Sequence, residues 1–141
     1  MDNVGIVFDD LEAAIEFFTA LGLELEGKGT IEADWADRIV AIEGQRVDVA
    51  MMRTPDGHGK VELMQYLTPK AVGGNPNAPV NTRGYLRVMF AVDDIDDTVA
   101  RVQALGATLV GELAQIGDDW RMCYVRGPEG VMVGLAQQLN R

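Results

Sequence analysis

Few side chains in this sequence are suited to chemistry by type alone. The single histidine, His58, follows Pro55-Asp56-Gly57 and reads as a solvated turn residue. The single cysteine, Cys123, can form neither an intrachain disulfide nor a thiolate metal cluster, and nothing nearby in sequence would activate it. It reads as a small hydrophobe in a strand. No phosphate-binding glycine loop, nucleophile elbow or Cys-His arrangement is present. Binding chemistry has more carriers. Trp35, Trp120, Tyr85 and Tyr124 can wall a pocket for a flat ligand, or else pack a core. Met51, Met52, Met64, Met89, Met122 and Met132 are many methionines for strands, and methionine adapts to irregular apolar shapes.

The elements that must position these residues come as a repeat. Asp9-Asp10-Leu11 and Ala20-Leu21-Gly22 reappear 84 positions on as Asp93-Asp94-Ile95 and Ala104-Leu105-Gly106, and Gly27 and Gly111 keep that offset. Arg53-Thr54-Pro55-Asp56-Gly57 matches Arg126-Gly127-Pro128-Glu129-Gly130 at 73, so the second copy has one shorter connection. Residues 3–8 form a β-branched run, after which Asp9 or Asp10 caps a helix with Leu11, Ala14, Ile15, Phe18 and Leu21 on one stripe. Gly22 ends that helix. Leu23 and Leu25 alternate with Glu24 and Glu26, which predicts a strand with one wet face. Residues 31–42 read as a short helix or ordered loop. Residues 45–53 and 59–67 flank the Pro-Asp-Gly turn as a hairpin.

The second half repeats this order. A strand over 84–92 leads to a helix capped by Asp93-Asp94 and ended by Gly106, then a strand opening at Leu109, then a hairpin over 119–126 and 130–138. Asp118-Asp119, after Gly117, marks a turn. Each half is therefore a βαβββ unit, module 1 over about 1–67 and module 2 over about 84–141. The proline- and glycine-bearing stretch 68–83 links them within one domain, 1–141. A βαβββ unit leaves one sheet face uncovered by its own helix, and two such faces can form a cup for a small molecule. The expected class is α+β, with a cup-shaped mixed sheet and the helices outside.

Composition narrows the partners. The 22 acidic against 12 basic side chains give a formal charge of −10, which disfavours phosphate backbones and anionic bilayers. No apolar run approaches the roughly 18 residues of a membrane span. Asp2 sits where a signal peptide wants basic residues, so a cytoplasmic protein is expected.

Tandem βαβββ units with Val4-Gly-Ile-Val-Phe-Asp-Asp-Leu11, Phe90-Ala-Val-Asp-Asp-Ile95 and Arg126-Gly-Pro-Glu-Gly130 resemble the vicinal oxygen chelate superfamily. That group includes glyoxalase I, methylmalonyl-CoA epimerase, extradiol dioxygenases, fosfomycin-resistance thiol transferases and bleomycin-binding proteins. In its metal-using members, a divalent ion is held from the first strand (usually His) and the last strand (usually Glu) of each unit. The resemblance implies that those positions here are Asn3, Arg87, Glu62 and Gly134. Val61-Glu62-Leu63 is then matched to Val133-Gly134-Leu135 at an offset of 72. Only Glu62 keeps the expected type. Asn3 offers a weak neutral carbonyl, Arg87 would repel a cation, and Gly134 has no side chain. Neither a metal nor any other cofactor is expected.

The resemblance further implies that Glu62, Arg87 and Asn3 face the cup. Strand periodicity then adds Met64 and Tyr66 to the face of Glu62, and Met89 to that of Arg87. Glu62 and Arg87 can pair with each other and fill the site. Alternatively, Arg87 anchors a carboxylate, phosphate or enolate oxygen, and Glu62, once partly desolvated, acts as a base. The first functional expectation is a metal-independent protein of the glyoxalase/bleomycin-resistance type. It would bind a bulky, partly apolar ligand through Asn3, Arg87, Met64, Met89, Tyr124 and Trp35. The alternative is a lyase or isomerase with Glu62 as catalytic base and Arg87 as anchor. A third is a degenerate member serving assembly with other proteins. Relatives commonly dimerise, so a homodimer is expected, and the cup can be completed within one chain or across that dimer.

Overall fold

A computed structural model describes residues 1–140, which fall into two compact units, Met1–Gly73 and the chain from Gly74 onward. The first unit runs β1 (Val4–Val7), α1 (Leu11–Ala20), β2 (Glu24–Ile31), α2 (Asp34–Val40), β3 (Arg46–Arg53) and β4 (Lys60–Thr68). Its sheet has the order β1-β4-β3-β2, with β1 parallel to β4 and the other pairs antiparallel. Asp10 caps α1 by accepting from the Ala13 N–H, satisfying a donor that the first turn leaves free. Gly22, at φ +108°, supplies the left-handed residue that ends it. Leu11, Ala14, Phe17 and Phe18 bury one stripe of this helix against Val61, Leu63, Ala50 and Met52 of the sheet. Phe18 sits edge-on to both Phe8 and Phe17.

The Pro-Asp-Gly turn forms as expected. Its Asp56 carboxylate accepts from the Thr54 hydroxyl (2.6 Å) and the His58 N–H (2.9 Å), and these bonds hold it below the usual carboxylate range. His58 is exposed at the turn.

One expectation needs correction. Strand β2 does not have one wet face and one dry one: it is exposed from Glu24 to Thr30, and Leu25 is 47% accessible. The strand lies at the sheet edge and pairs only with β3; Leu25 is in register with buried Met52 and so lies on that side of the sheet, and its accessibility follows from the edge position. The uncertain stretch 31–42 contains α2, which has no counterpart in the second unit and accounts for the shorter connection there.

The second unit runs β5 (Arg87–Ala91), α3 (Ile95–Ala104), β6 (Thr108–Leu109), β7 (Ala114–Ile116), β8 (Trp120–Arg126), a 3-10 turn at Pro128–Gly130 and β9 (Met132–Gln138). The sheet order is β5-β9-β8-β6, with β7 also on β8, and β5 runs parallel to β9. The strand expected to open at Leu109 is broken. Residues 110–113 leave the ladder after the Val110 N–H bonds to the Tyr124 carbonyl, so β6 and β7 pair with β8 separately. Asp94 caps α3 as Asp10 caps α1. Cys123 is buried in β8, where desolvation pushes its thiol pKa up. The second half of the expected linker is fastened to this unit. Arg126 donates to the carbonyls of Pro76, Ala78 and Gly130, and Ala78 is buried.

Helices α1 and α3 are tied to the last strand of their units in the same way. The Leu11 N–H donates to Gln65 Oε1 (3.0 Å), and the Ile95 N–H donates to Gln137 Oε1 (2.8 Å). Among the described residues, no helix is long and apolar enough to cross a membrane.

Candidate functional site

In each unit the longer helix, α1 or α3, covers one sheet face; Glu62, Met64, Arg87, Met89 and Tyr124 lie on the other, whereas Met52 and Cys123 are buried on the helix side. On β4, buried Val61 and Leu63 alternate with half-buried Glu62, Met64 and Tyr66. Glu62 is flanked in register by Gly5 on β1 and Met51 on β3. The Met64 methyl lies 3.0 Å from where a Cβ on Gly5 would be. Asn3 precedes Gly5 by two residues, and its amide donates to the Asp2 carboxylate at 2.7 Å. The Glu62 carboxylate makes no hydrogen bond or ion pair with a described residue. Trp35 stands apart from this row: it is on α2, 56% accessible.

The second unit repeats the geometry with different residues. Gly134 on β9 is flanked by Met89 on β5 and Tyr124 on β8, as Glu62 is flanked by Gly5 and Met51. Those registers confirm that Glu62 and Gly134 hold equivalent places, and the two glutamines at the same offset agree. Gly134 is buried because its neighbours close over it. A Cβ there would lie 2.7 Å from Met89 Cε and 3.2 Å from Tyr124 Cε1. The Arg87 guanidinium carbon lies 4.6 Å from the centre of the Tyr124 ring, a cation–π contact. Arg87 makes no hydrogen bond or ion pair with a described residue, and the ring is what it meets. The structure thus brings Arg87, Met89 and Tyr124 together around Gly134.

Beside them opens a cavity of about 430 Å³ lined by Gly84, Tyr85, Leu86, Arg87 and Met89. Tyr85 is fully exposed and Trp120 partly so, which places both outside the core. Gly84 and Leu86 were not singled out by sequence. The sequence predicts a strand over 84–92 that includes Gly84, but the strand begins only at Arg87, and Gly84, at φ +104°, lies in the bend ahead of it. Among the described residues, no three of His, Cys, Asp and Glu gather where they could hold a metal ion.

Residues 2–124 match the model of the glyoxalase/bleomycin resistance protein/dioxygenase superfamily. A glyoxalase family protein from Bacillus cereus is 50% identical, with 99% of this chain and 94% of that one covered at a TM-score of 0.96. The trypanothione-dependent glyoxalase I of Leishmania major superposes at a TM-score of 0.66 with 18% identity, over 97% and 85% of the two chains. A fosfomycin resistance protein from Listeria monocytogenes, in complex with Mn(II) and a dihydroxypropylphosphonic acid, superposes at 0.61 with 13% identity, over 96% and 86%. These last two show a common fold. No curated protein matches the chain.

Proposed function

The chain belongs to the glyoxalase/bleomycin resistance protein/dioxygenase superfamily, and on that premise we propose that it is a metal-independent small-molecule-binding protein. Its ligand is bulky and partly apolar and meets a helix-free sheet face. The observation that carries this reading is Gly134. At the place equivalent to Glu62 there is no ligating side chain, Met89 and Tyr124 occupy the space, and a permanently charged arginine stands next to them. With Asn3 offering only a neutral amide, these residues do not fit the divalent ion that metal-using relatives hold. The Mn(II) of the Listeria protein is therefore not carried over. Half-buried Met51 and Met64 and exposed Met89 provide adaptable walls of the kind a bulky ligand requires. Native mass spectrometry of protein from its own host, with elemental analysis, tests the reading. A small molecule retained with far less than one equivalent of metal is expected, whereas stoichiometric Zn, Ni, Mn or Fe lost in Glu62→Gln overturns it.

A second reading has its own support. Glu62 is half-buried with its carboxylate unspent, as a general base requires, which favours a lyase or isomerase with Glu62 as base and Arg87 as anchor. Turnover of a candidate substrate that vanishes in Glu62→Gln would establish it. Either activity suits a cytoplasmic homodimer, and the charge of −10 argues against nucleic acid or anionic bilayers as partners. Light scattering at micromolar concentration should give twice the chain mass of 15.3 kDa.

A further inference from the structure

We propose that the cavity at the start of β5 is an anchoring site for a planar carboxylate carried on an apolar ring, with Arg87 taking the carboxylate and Tyr85 the ring. This rests on the reading of the protein as a small-molecule binder and assigns its ligand a chemical class.

The argument begins with what Arg87 does not do. Arg46, Arg53, Arg101 and Arg121 each meet a carboxylate, and Arg126 spends its donors on backbone carbonyls. Arg38, Arg83 and Arg87 have no such partner among the described residues, in a chain with 22 acidic side chains. Of these three, Arg87 is the one set over an aromatic ring. It is held all the same: Tyr124 supports its guanidinium at 4.6 Å, and Tyr124 is itself packed over Gly134. A ring face restrains the guanidinium without using up its N–H donors, so the fork is oriented and unspent. Such a fork matches a carboxylate through two parallel bonds.

The remaining lining sets the rest of the ligand. Tyr85 offers a fully exposed ring, and Leu86 and Met89 offer apolar surface. The concavity, about 430 Å³, is open to solvent and would hold one edge of a ligand rather than enclose it. Arg87 is the only charged residue in the lining, which suits a single negative charge better than a phosphate dianion.

The test uses 2-naphthoate, its neutral amide 2-naphthamide, and 2-naphthyl phosphate as probes, with affinities from titration calorimetry on the full chain. Naphthoate should bind roughly 10–100-fold more tightly than the amide, the range for hydrogen bonds to charged groups. Arg87→Met should remove that preference, and Arg87→Lys should remove most of it because an ammonium lacks the fork. Tyr85→Ala, a change at an exposed ring that leaves the fold intact, should weaken acid and amide alike. Equal affinity for acid and amide overturns the carboxylate assignment and leaves small-molecule binding standing. Tighter binding of the phosphate also overturns it. Failure of all three probes overturns the site, while the broader reading is then decided by the native mass spectrum.

Discussion

Replacing Gly134 by alanine adds one methyl group where the sheet face has closed over a missing side chain. The new Cβ would lie 2.7 Å from Met89 Cε, 3.2 Å from Tyr124 Cε1 and 3.3 Å from Met89 Cβ. The first contact is with the end of a flexible side chain and can be relieved by a rotamer change. The other two involve a ring and a backbone-proximal carbon, which must move together. Overpacking of this kind costs about 1–3 kcal/mol. The loss of glycine's freedom in the unfolded chain returns about 0.4–1 kcal/mol. At mid-range values the net expectation is a destabilisation of about 1.3 kcal/mol, or a fall in midpoint of roughly 3–5 °C. Gly5 is the internal control. A Cβ there meets only the Met64 methyl, at 3.0 Å, so Gly5→Ala should fall between neutral and about 1 kcal/mol stabilising. Urea unfolding followed by circular dichroism reads both. A double-mutant cycle of Gly134→Ala with Met89→Ala should show coupling above about 0.5 kcal/mol, because the shortened side chain makes room. A neutral Gly134→Ala, or strict additivity with Met89→Ala, would refute the claim that Met89 and Tyr124 fill this place.

Gly130→Ala should be far more severe than Gly134→Ala. Gly130 sits at φ +81° and its Cβ would overlap the Pro76 backbone, so a loss of about 3 kcal/mol or more, or failure to recover folded protein, is expected. Cys123, buried and with its thiol pKa pushed up, should react with a thiol-specific disulfide reagent only as fast as the protein opens, and at once in denaturant; rapid labelling of native protein would contradict the burial. The Arg121 guanidinium holds the Asp96 carboxyl below its ordinary value of 3.8. A lowered folded-state pKa contributes stability that is complete above the unfolded value and lost as pH falls through the folded one. The stability gap between the wild type and Asp96→Asn should therefore be present at pH 6 and close on acidification toward pH 2, and a gap that does not change with pH would rule out this linkage.

Much of the fold was legible because its signals are local. An aspartate three residues ahead of the N–H it caps, a glycine closing a helix and a Pro-Asp-Gly turn act within one turn of chain, and Asp10, Asp94, Gly22 and Asp56 all act as read. The equivalence of Glu62 and Gly134 was legible too, because a repeat lets one copy index the other. What escaped depends on neighbours across strands. The exposure of Leu25 follows from an edge position, which leaves no mark in the alternation of β2. Tyr124 was a candidate pocket wall, but its contacts with Gly134 and Arg87 need the β8–β9 and β5–β9 registers together. Tyr85 read as a pocket wall or a core residue, and its position ahead of β5 leaves it exposed.

Gln65 and Gln137 stand three residues beyond Glu62 and Gly134, and an odd step along a strand reverses the side. The bond that fastens each helix and the residue that sets the sheet's chemistry thus sit back to back on one strand. Mutational drift on one side is insulated from the mechanical integrity of the other. Such a chassis can lose, exchange or regain reactive groups at positions 3, 62, 87 and 134 while its helices stay bolted in place. It also offers protein engineers a surface to rewrite whose supporting joints need no redesign.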